Sequence, residues 1–188
     1  MPPAKAAVLF LCAGSLAWHA AASRTRFRTI GRTPPRMKAI GASFAIAAMV
    51  NLVEIARADI GTGELVFALA FYATALGLFA WACAVNSRRP LTVAFSSDIP
   101  EHVVTSGPYR FMRHPFYAAY CLTWVAGAVA SWSWNAALAA AVMVVQYVQA
   151  ARLEEAKFAA SPLAHGYREY RTTGWFRRMP VPPPLSRL

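Results

Sequence analysis

The chain has 188 residues, of which 57% are hydrophobic and only 14% charged, at a mean hydropathy of +0.37. That composition excludes an ordinary soluble domain and points to a polytopic membrane protein. The net charge of +11 is segregated into the connections between apolar runs, which fits a membrane surface as partner and argues against nucleic acid.

Residues Ala4 to Ala22 form the first apolar run, with His19 near its end. A lysine, an apolar core and the small residues Ala20-Ala21-Ala22 also outline a secretory signal peptide; the run is read here as the first transmembrane helix. Ser23 to Lys38 is a basic loop without an acid. The second span runs roughly from Ala39 to Ala56 and carries Asn51 and Glu54 on one helical face, with Arg57 as the expected partner of Glu54. An acid inside a membrane helix is a functional hypothesis by default, but Glu54 lies within a turn of the far interface and reads as structural.

After the turn Asp59-Ile60-Gly61-Thr62-Gly63, a third span covers about Glu64 to Val85. A long polar connection follows, from Asn86 to Met112. Long ordered connections of this kind are usually functional, and His102-Val103-Val104-Thr105 alternates like a short extended piece leading into Ser106-Gly107-Pro108. The fourth span is Pro115 to Ser131. Pro115 fixes its own φ and biases His114 away from the helical region, so His114 is expected extended and Pro115 at the first helical position. Ser131-Trp132-Ser133-Trp134-Asn135 makes a tight reversal with two interfacial tryptophans. The fifth span starts near Trp134, and its helix continues beyond Val148 through Glu154 and Glu155 toward Pro162. The three cysteines, Cys12, Cys83 and Cys121, each sit inside an apolar run without CxxC spacing and read as packing residues rather than a disulfide or metal set.

With five spans, the first and third loops and the C-terminal tail share one side. Seventeen of the nineteen basic residues fall there, leaving Lys5 and Arg57 opposite. The bias predicts a cytoplasmic C-terminus and an extracytoplasmic N-terminus.

On that basic side the stretch from Gly107 to Tyr117 combines Tyr109, Arg110, Arg113, His114 and Tyr117 at the N-terminal end of a helix, where free N–H groups and the positive dipole end favour anions. A bland reading, with arginines as headgroup anchors, competes there. The helical hairpin of spans four and five should bring Arg113 and His114 beside Arg152, Glu154 and Glu155, with the Tyr167–Arg178 tail able to fold over them. A pocket roofed by the tail and open toward lipid suits a water-soluble cofactor and a lipophilic substrate. No metal-ligand spacing, hydrolase triad or P-loop occurs, and no GxGxxG follows a strand.

These residues resemble the isoprenylcysteine carboxyl methyltransferases and related membrane phospholipid methyltransferases. The resemblance rests on Val104-Thr105-Ser106-Gly107-Pro108-Tyr109, on Arg113-His114-Pro115-Phe116-Tyr117, on Arg152-Leu153-Glu154-Glu155, and on Tyr167-Arg168-Glu169-Tyr170 ahead of Arg178-Met179-Pro180. It covers about residues 86 to 182, the first three spans matching only as hydrophobic helices. It implies an all-α integral membrane enzyme of about five transmembrane helices. Its cytoplasmic pocket would be built from the 86–117 connection, the hairpin of helices four and five and the C-terminal tail. Residues 1–85 would then be three membrane helices and residues 86–188 the methyltransferase region.

The implied cofactor is S-adenosylmethionine, with Tyr109, His114, Tyr117, Glu154, Glu155, Tyr167 and Tyr170 lining or bracing its pocket. Arg113 would face the reacting group, with Glu155 as the other catalytic candidate. Partners would be the lipid bilayer and a small lipophilic acceptor methylated on a carboxylate, amine or thiol. Sixteen arginines against three lysines fit a bacterial inner-membrane protein. The rival expectations are an NADPH-dependent membrane reductase of related architecture, which needs extra cations for the 2′-phosphate, and a non-catalytic scaffold or transporter, whose polar groups belong at mid-membrane.

Overall fold

In a computed structural model, residues 1–25, 27–28, 35–87, 91–92, 100 and 102–172 are described. Among them are six α-helices, in order α1 (Pro3–Thr25), α2 (Pro35–Arg57), α3 (Thr62–Val85), α4 (Pro115–Ser131), α5 (Trp134–Ala159) and α6 (Ala164–Thr172). Two two-residue strands, β1 (Phe27–Arg28) and β2 (Leu91–Thr92), pair in parallel with Phe27 opposite Leu91. This pairing joins the first loop to the third, and no sequence pattern announced it. Trp175, Arg177, Arg178 and Met179-Pro180, expected to close the pocket, lie outside the described residues, as do Arg88, Arg89, Asp98 and Glu101.

The protein is an all-α integral membrane protein. Helices α1, α2, α3 and α5, of 23, 23, 24 and 26 residues, are each long and apolar enough to cross a bilayer. Helix α4, expected as the fourth span, has 17 residues, roughly 25 Å at the usual rise, and is shorter than these four. Large apolar side chains such as Phe10, Ile46, Phe67 and Leu138 are exposed. Faces of that kind are unfavourable in water and natural in lipid.

The core lies where α3 and α4 face each other, their most extensive helix contact, with α5 packed on α4 and α2. Tyr72 and Phe79 of α3, Trp124 of α4 and Met143 of α5 are fully buried there. Gly127 lets α4 pack close against α2: a Cβ at this position would collide with the Asn51 carboxamide. His19 is packed rather than interfacial, 3% exposed, between the rings of Phe79 at 4.5 Å and Tyr120 at 4.7 Å.

Glu54 has Arg57 as an electrostatic partner, as expected, and also accepts a hydrogen bond from the Asn135 carboxamide at 3.1 Å. The bond ties α2 to the start of α5, because the α4–α5 reversal brings Asn135 to the same interface. His102 to Thr105, expected as a short extended piece, forms no regular secondary structure among the described residues, and His102, Val103 and Val104 line a cavity at the end of the bundle. The reversal itself is as read. Trp132 takes a left-handed conformation at φ 46° as the C-cap of α4, Ser133 caps α5 by accepting from the Asn135 amide, and Trp132 and Trp134 are exposed.

Candidate active site

Three segments converge at one end of the bundle. The first is the connection into α4. Gly107 sits at φ +59°, a left-handed conformation, and a Cβ there would run into Val85; only glycine lets the chain turn this close to the end of α3. The turn becomes a 3-10 segment, Gly107–Arg110, that buries Tyr109. Asn86, the buried C-cap of α3, donates from Nδ2 to the Tyr109 hydroxyl at 3.0 Å. Burial raises the Tyr109 phenol above its ordinary range. Then His114, at φ −129° and ψ 65°, caps α4 with Pro115 at its first turn. Pro115 opens the helix as expected and His114 stays outside the helical region, but at ψ 65° it is not the fully extended residue expected.

The second segment is the last third of α5, whose period carries Glu154 and Glu155 beyond the apolar part of the hairpin. The Tyr117 hydroxyl donates to Glu154 Oε1 at 2.8 Å. Both ring nitrogens of His114 face carboxylates, Nδ1 at 3.3 Å from Glu154 Oε2 and Nε2 at 3.1 Å from Glu155 Oε1. A ring with acids on both sides is a donor at both nitrogens, which requires the imidazolium. Burial opposes that charge, yet the hydrogen bonds and charges of Glu154 and Glu155 outweigh it and raise the His114 pKa to about 9. Arg113 Nη1 lies 2.9 Å from the same Glu155 oxygen, the two side chains being 11% and 7% exposed. The result is a four-residue set, Arg113–Glu155–His114–Glu154, neutral when His114 is protonated and locked to α4 by Tyr117.

The third segment is α6, which lies across the other two. The Tyr170 hydroxyl donates to the Tyr109 carbonyl at 2.8 Å, and the Tyr167 ring stacks on Phe158 at 4.4 Å and 9°. Burial pushes the Tyr170 phenol up to about 12, with Arg113 opposing.

Together these segments enclose a cavity. Its polar part is lined by Tyr109, Arg113, His114, Tyr117, Glu154 and Tyr170, and its apolar part includes Phe27, Leu91, Val103, Val104 and Phe116. Tyr167 also lines it. Glu155 stands behind this wall, held between Arg113 and His114. Arg152 is exposed and Arg110 is exposed, both away from this lining.

Several lining residues escaped the sequence reading, His102, Lys157 and Phe158 among them. His102 reaches the wall with a buried Nε2 that has no hydrogen-bond partner among the described residues; in an irregular connection no periodicity pointed to it. Lys157 and Phe158 follow Glu154 by three and four positions, and that helical spacing was the available signal.

The bundle thus carries a charged site at one end of its helices, set in a cavity whose lining is largely apolar. The model of the phospholipid methyltransferase family matches residues 64–163, more than half of the chain, and the chain belongs to that family of membrane methyltransferases. The match takes in α3, which the residue-level likeness had left out, and stops before α6. No curated protein and no solved structure matches the chain significantly.

Proposed function

We propose that the protein transfers a methyl group from S-adenosylmethionine to a small lipophilic acceptor, through a carboxylate, amine or thiol, at the cavity between α4, α5 and α6. The observation that carries this reading is the pair of carboxylates, Glu154 and Glu155, interlocked with Arg113 and His114 at the wall of a partly apolar cavity.

The residues present fit the cofactor. It is a sulfonium with an amino group, and Glu154 offers a carboxylate in the wall. Its nucleoside suits a mixed lining of rings and aliphatic side chains, and His102 Nε2 is a buried polar atom whose partner a ligand would supply. Bound there, S-adenosylmethionine supplies an electrophilic methyl group on sulfur. Tyr109, His114, Tyr117, Glu154, Tyr167 and Tyr170 hold or brace it, and Glu155 acts by fixing Arg113 and His114. Methyl transfer is an in-line displacement, which rewards positioning and exclusion of water more than a proton shuttle. Arg113 orients the acceptor with a planar donor fork.

The apolar part of the cavity receives the lipophilic body of the acceptor. In this reading residues 1–85 form the membrane platform and residues 86–188 the methyltransferase region. The site faces the cytoplasm of a bacterial inner membrane, the side favoured by the charge bias. Titration calorimetry of the detergent-solubilised protein with S-adenosylhomocysteine tests the cofactor, with micromolar binding expected and no binding overturning the reading. Mass spectrometry of lipid extracts incubated with methyl-deuterated S-adenosylmethionine identifies the acceptor. A reporter fused after Leu188 that is active only outside the cytoplasm overturns the orientation.

A further inference from the structure

The carboxamide of Asn86 is held by two bonds from one atom. Its Nδ2 donates to the Ala82 carbonyl at 2.8 Å and to the Tyr109 hydroxyl at 3.0 Å. Its Oδ1 has no hydrogen-bond partner among the described residues, although Asn86 is only 1% exposed. Asn86 lines a recess walled by His102 to Ser106 and lies outside the lining of the catalytic cavity. The two ends of a carboxamide have the same outline, so chemistry has to fix which is which. Ala82 decides it. A carbonyl oxygen only accepts, and turning the amide over would set Oδ1 against it, two acceptors at hydrogen-bond distance. The nitrogen stays inward even though a buried oxygen is left unsatisfied, which is rare in folded proteins. The Tyr109 oxygen therefore accepts from Asn86, and its own hydrogen is turned away from that residue. No acceptor for this hydrogen is found among the described residues. Tyr109 is buried and lines the cavity. Burial, with the charge of Glu154 adding and the Asn86 bond opposing, keeps its phenol above the ordinary range, so the hydrogen stays on the oxygen.

We propose that Asn86 is a positioning residue: by donating to the Tyr109 hydroxyl it directs that hydroxyl's hydrogen into the cavity, to meet a lone pair of the bound ligand. This rests on the methyltransferase reading and goes beyond it in two ways. It gives a role to a residue outside the cavity lining, and it assigns a polarity to the ligand group beside Tyr109. That group is a hydrogen-bond acceptor, such as a carbonyl, carboxylate, ether or ring nitrogen. A donor fixed before the ligand arrives lowers the ordering cost of binding. The opposing reading is that Asn86, the C-cap of α3, only satisfies the helix end and fills space. That role affects helix stability and is indifferent to the Tyr109 hydroxyl.

Calorimetry on the full-length protein in detergent separates the two, with S-adenosylhomocysteine as probe and a double-mutant cycle of Asn86→Asp and Asn86→Ala with Tyr109→Phe. Tyr109→Phe keeps the ring, removes the hydrogen and should weaken the probe about tenfold. Asn86→Asp keeps the shape but accepts where the amide donated. The phenol then turns its hydrogen to the carboxylate, and affinity falls about as far. Asn86→Ala frees the hydroxyl to rotate and costs less, about threefold. In the Tyr109→Phe background neither Asn86 substitution weakens binding further. A capping or space-filling role gives the reverse order, with alanine the more harmful, and equal losses in both backgrounds. Either of those results overturns the proposal, as does a Tyr109→Phe variant that binds like wild type. If the melting curve shows that Asn86→Asp does not fold, Asn86→Ala in the two backgrounds decides alone. A loss confined to the wild-type background then supports the role, and an equal loss or none overturns it. A wild-type protein that binds no S-adenosylhomocysteine refutes the methyltransferase reading and the proposal with it. Wild-type binding without coupling between the two positions refutes only the role given to Asn86.

Discussion

The Tyr117 hydroxyl donates a 2.8 Å hydrogen bond to Glu154, joining the first turn of α4 to the far end of α5. The residues are 37 apart in sequence, and the bond closes the hairpin on its polar side. Tyr117 continues inward as a ring stacked on Tyr147 at 5.9 Å, and the Tyr147 hydroxyl accepts from Trp124 Nε1 at 3.2 Å. The carboxylate that faces the cavity is therefore anchored through aromatic packing to the buried core of the bundle. Its position is set before any ligand arrives, which reduces the ordering cost of binding.

Glu154→Ala removes a charged acceptor from the cavity wall and should weaken S-adenosylhomocysteine by ten- to a hundred-fold, from roughly 1.5–3 kcal/mol for a charge-assisted hydrogen bond. Tyr117→Phe keeps the ring and loses only the bond to Glu154, so it acts on affinity only through the position of that carboxylate and its effect should be smaller. Calorimetry on both variants checks the order. Equal affinities for wild type and Glu154→Ala would move the carboxylate to a purely structural role.

His114 gives the site a pH dependence with a definite sign. Its folded pKa of about 9 lies above the ordinary 6.5. The ion pairing with Glu154 and Glu155 therefore contributes fully below about pH 6.5 and is lost as pH rises through about 9. The groups facing the ring are the two glutamates, and Arg113 shares Glu155 with it. Melting temperature and S-adenosylhomocysteine affinity should both decline over roughly pH 8 to 10. His114→Gln, which cannot titrate, should flatten that decline. A wild-type profile that is level through this range, or one the variant reproduces, contradicts a charged His114.

Much of this site was legible because its determinants are local. His114-Pro115 dictates a cap and a helix start from two residues, and the helical period alone carries Glu154 and Glu155 past the apolar part of α5. The segregation of charge into loops made the membrane class plain for the same reason. What stayed hidden depends on contacts between distant segments. The Phe27–Leu91 pairing has two residues on each side, too few for an alternating pattern to register. Glu54 has Arg57 three positions away, and sequence spacing favours that neighbour. The reversal after α4 also delivers Asn135, 81 residues on, which that spacing could not show. The hairpin alone put Arg113 beside Glu155, and the direct pairing of its Nη1 with that carboxylate is what the structure adds.

Gly107 tests whether the turn into the site has to be glycine. Alanine there meets two penalties at once: a left-handed φ of +59° and a Cβ directed at Val85. The backbone cost alone is on the order of 1–3 kcal/mol, and relief of the clash would shift the 3-10 segment that carries Tyr109. Gly107→Ala should lower the melting temperature and weaken S-adenosylhomocysteine together. Gly63→Ala, at a position with open space around it and far from the cavity lining, is the control and should leave affinity unchanged. If Gly107→Ala binds normally at a wild-type melting temperature, the turn is not what positions Tyr109.

Arg113 separates anchoring from orientation. Its Nη1 is engaged with Glu155 at 2.9 Å, and the residue also lines the cavity. A guanidinium has five N–H donors, so one bond to Glu155 leaves a fork for an acceptor. Lysine would keep the charge beside Glu155, and with it insertion, folding and most cofactor affinity, but it has no planar fork. Misplacing the acceptor by about 1 Å costs on the order of 10²-fold in rate. Arg113→Lys should therefore lose turnover by about that factor. Glu155→Ala should instead be destabilised by about 3–5 kcal/mol, since it leaves buried cations without their carboxylate. Arg110→Lys, on an exposed side chain outside the lining, should be silent in both assays. Turnover of labelled lipid extract, melting temperature and S-adenosylhomocysteine affinity, measured across the three variants, resolve the two roles. Normal turnover in Arg113→Lys would reduce the arginine to a counter-ion for Glu155 and leave the acceptor to be oriented by the apolar wall alone.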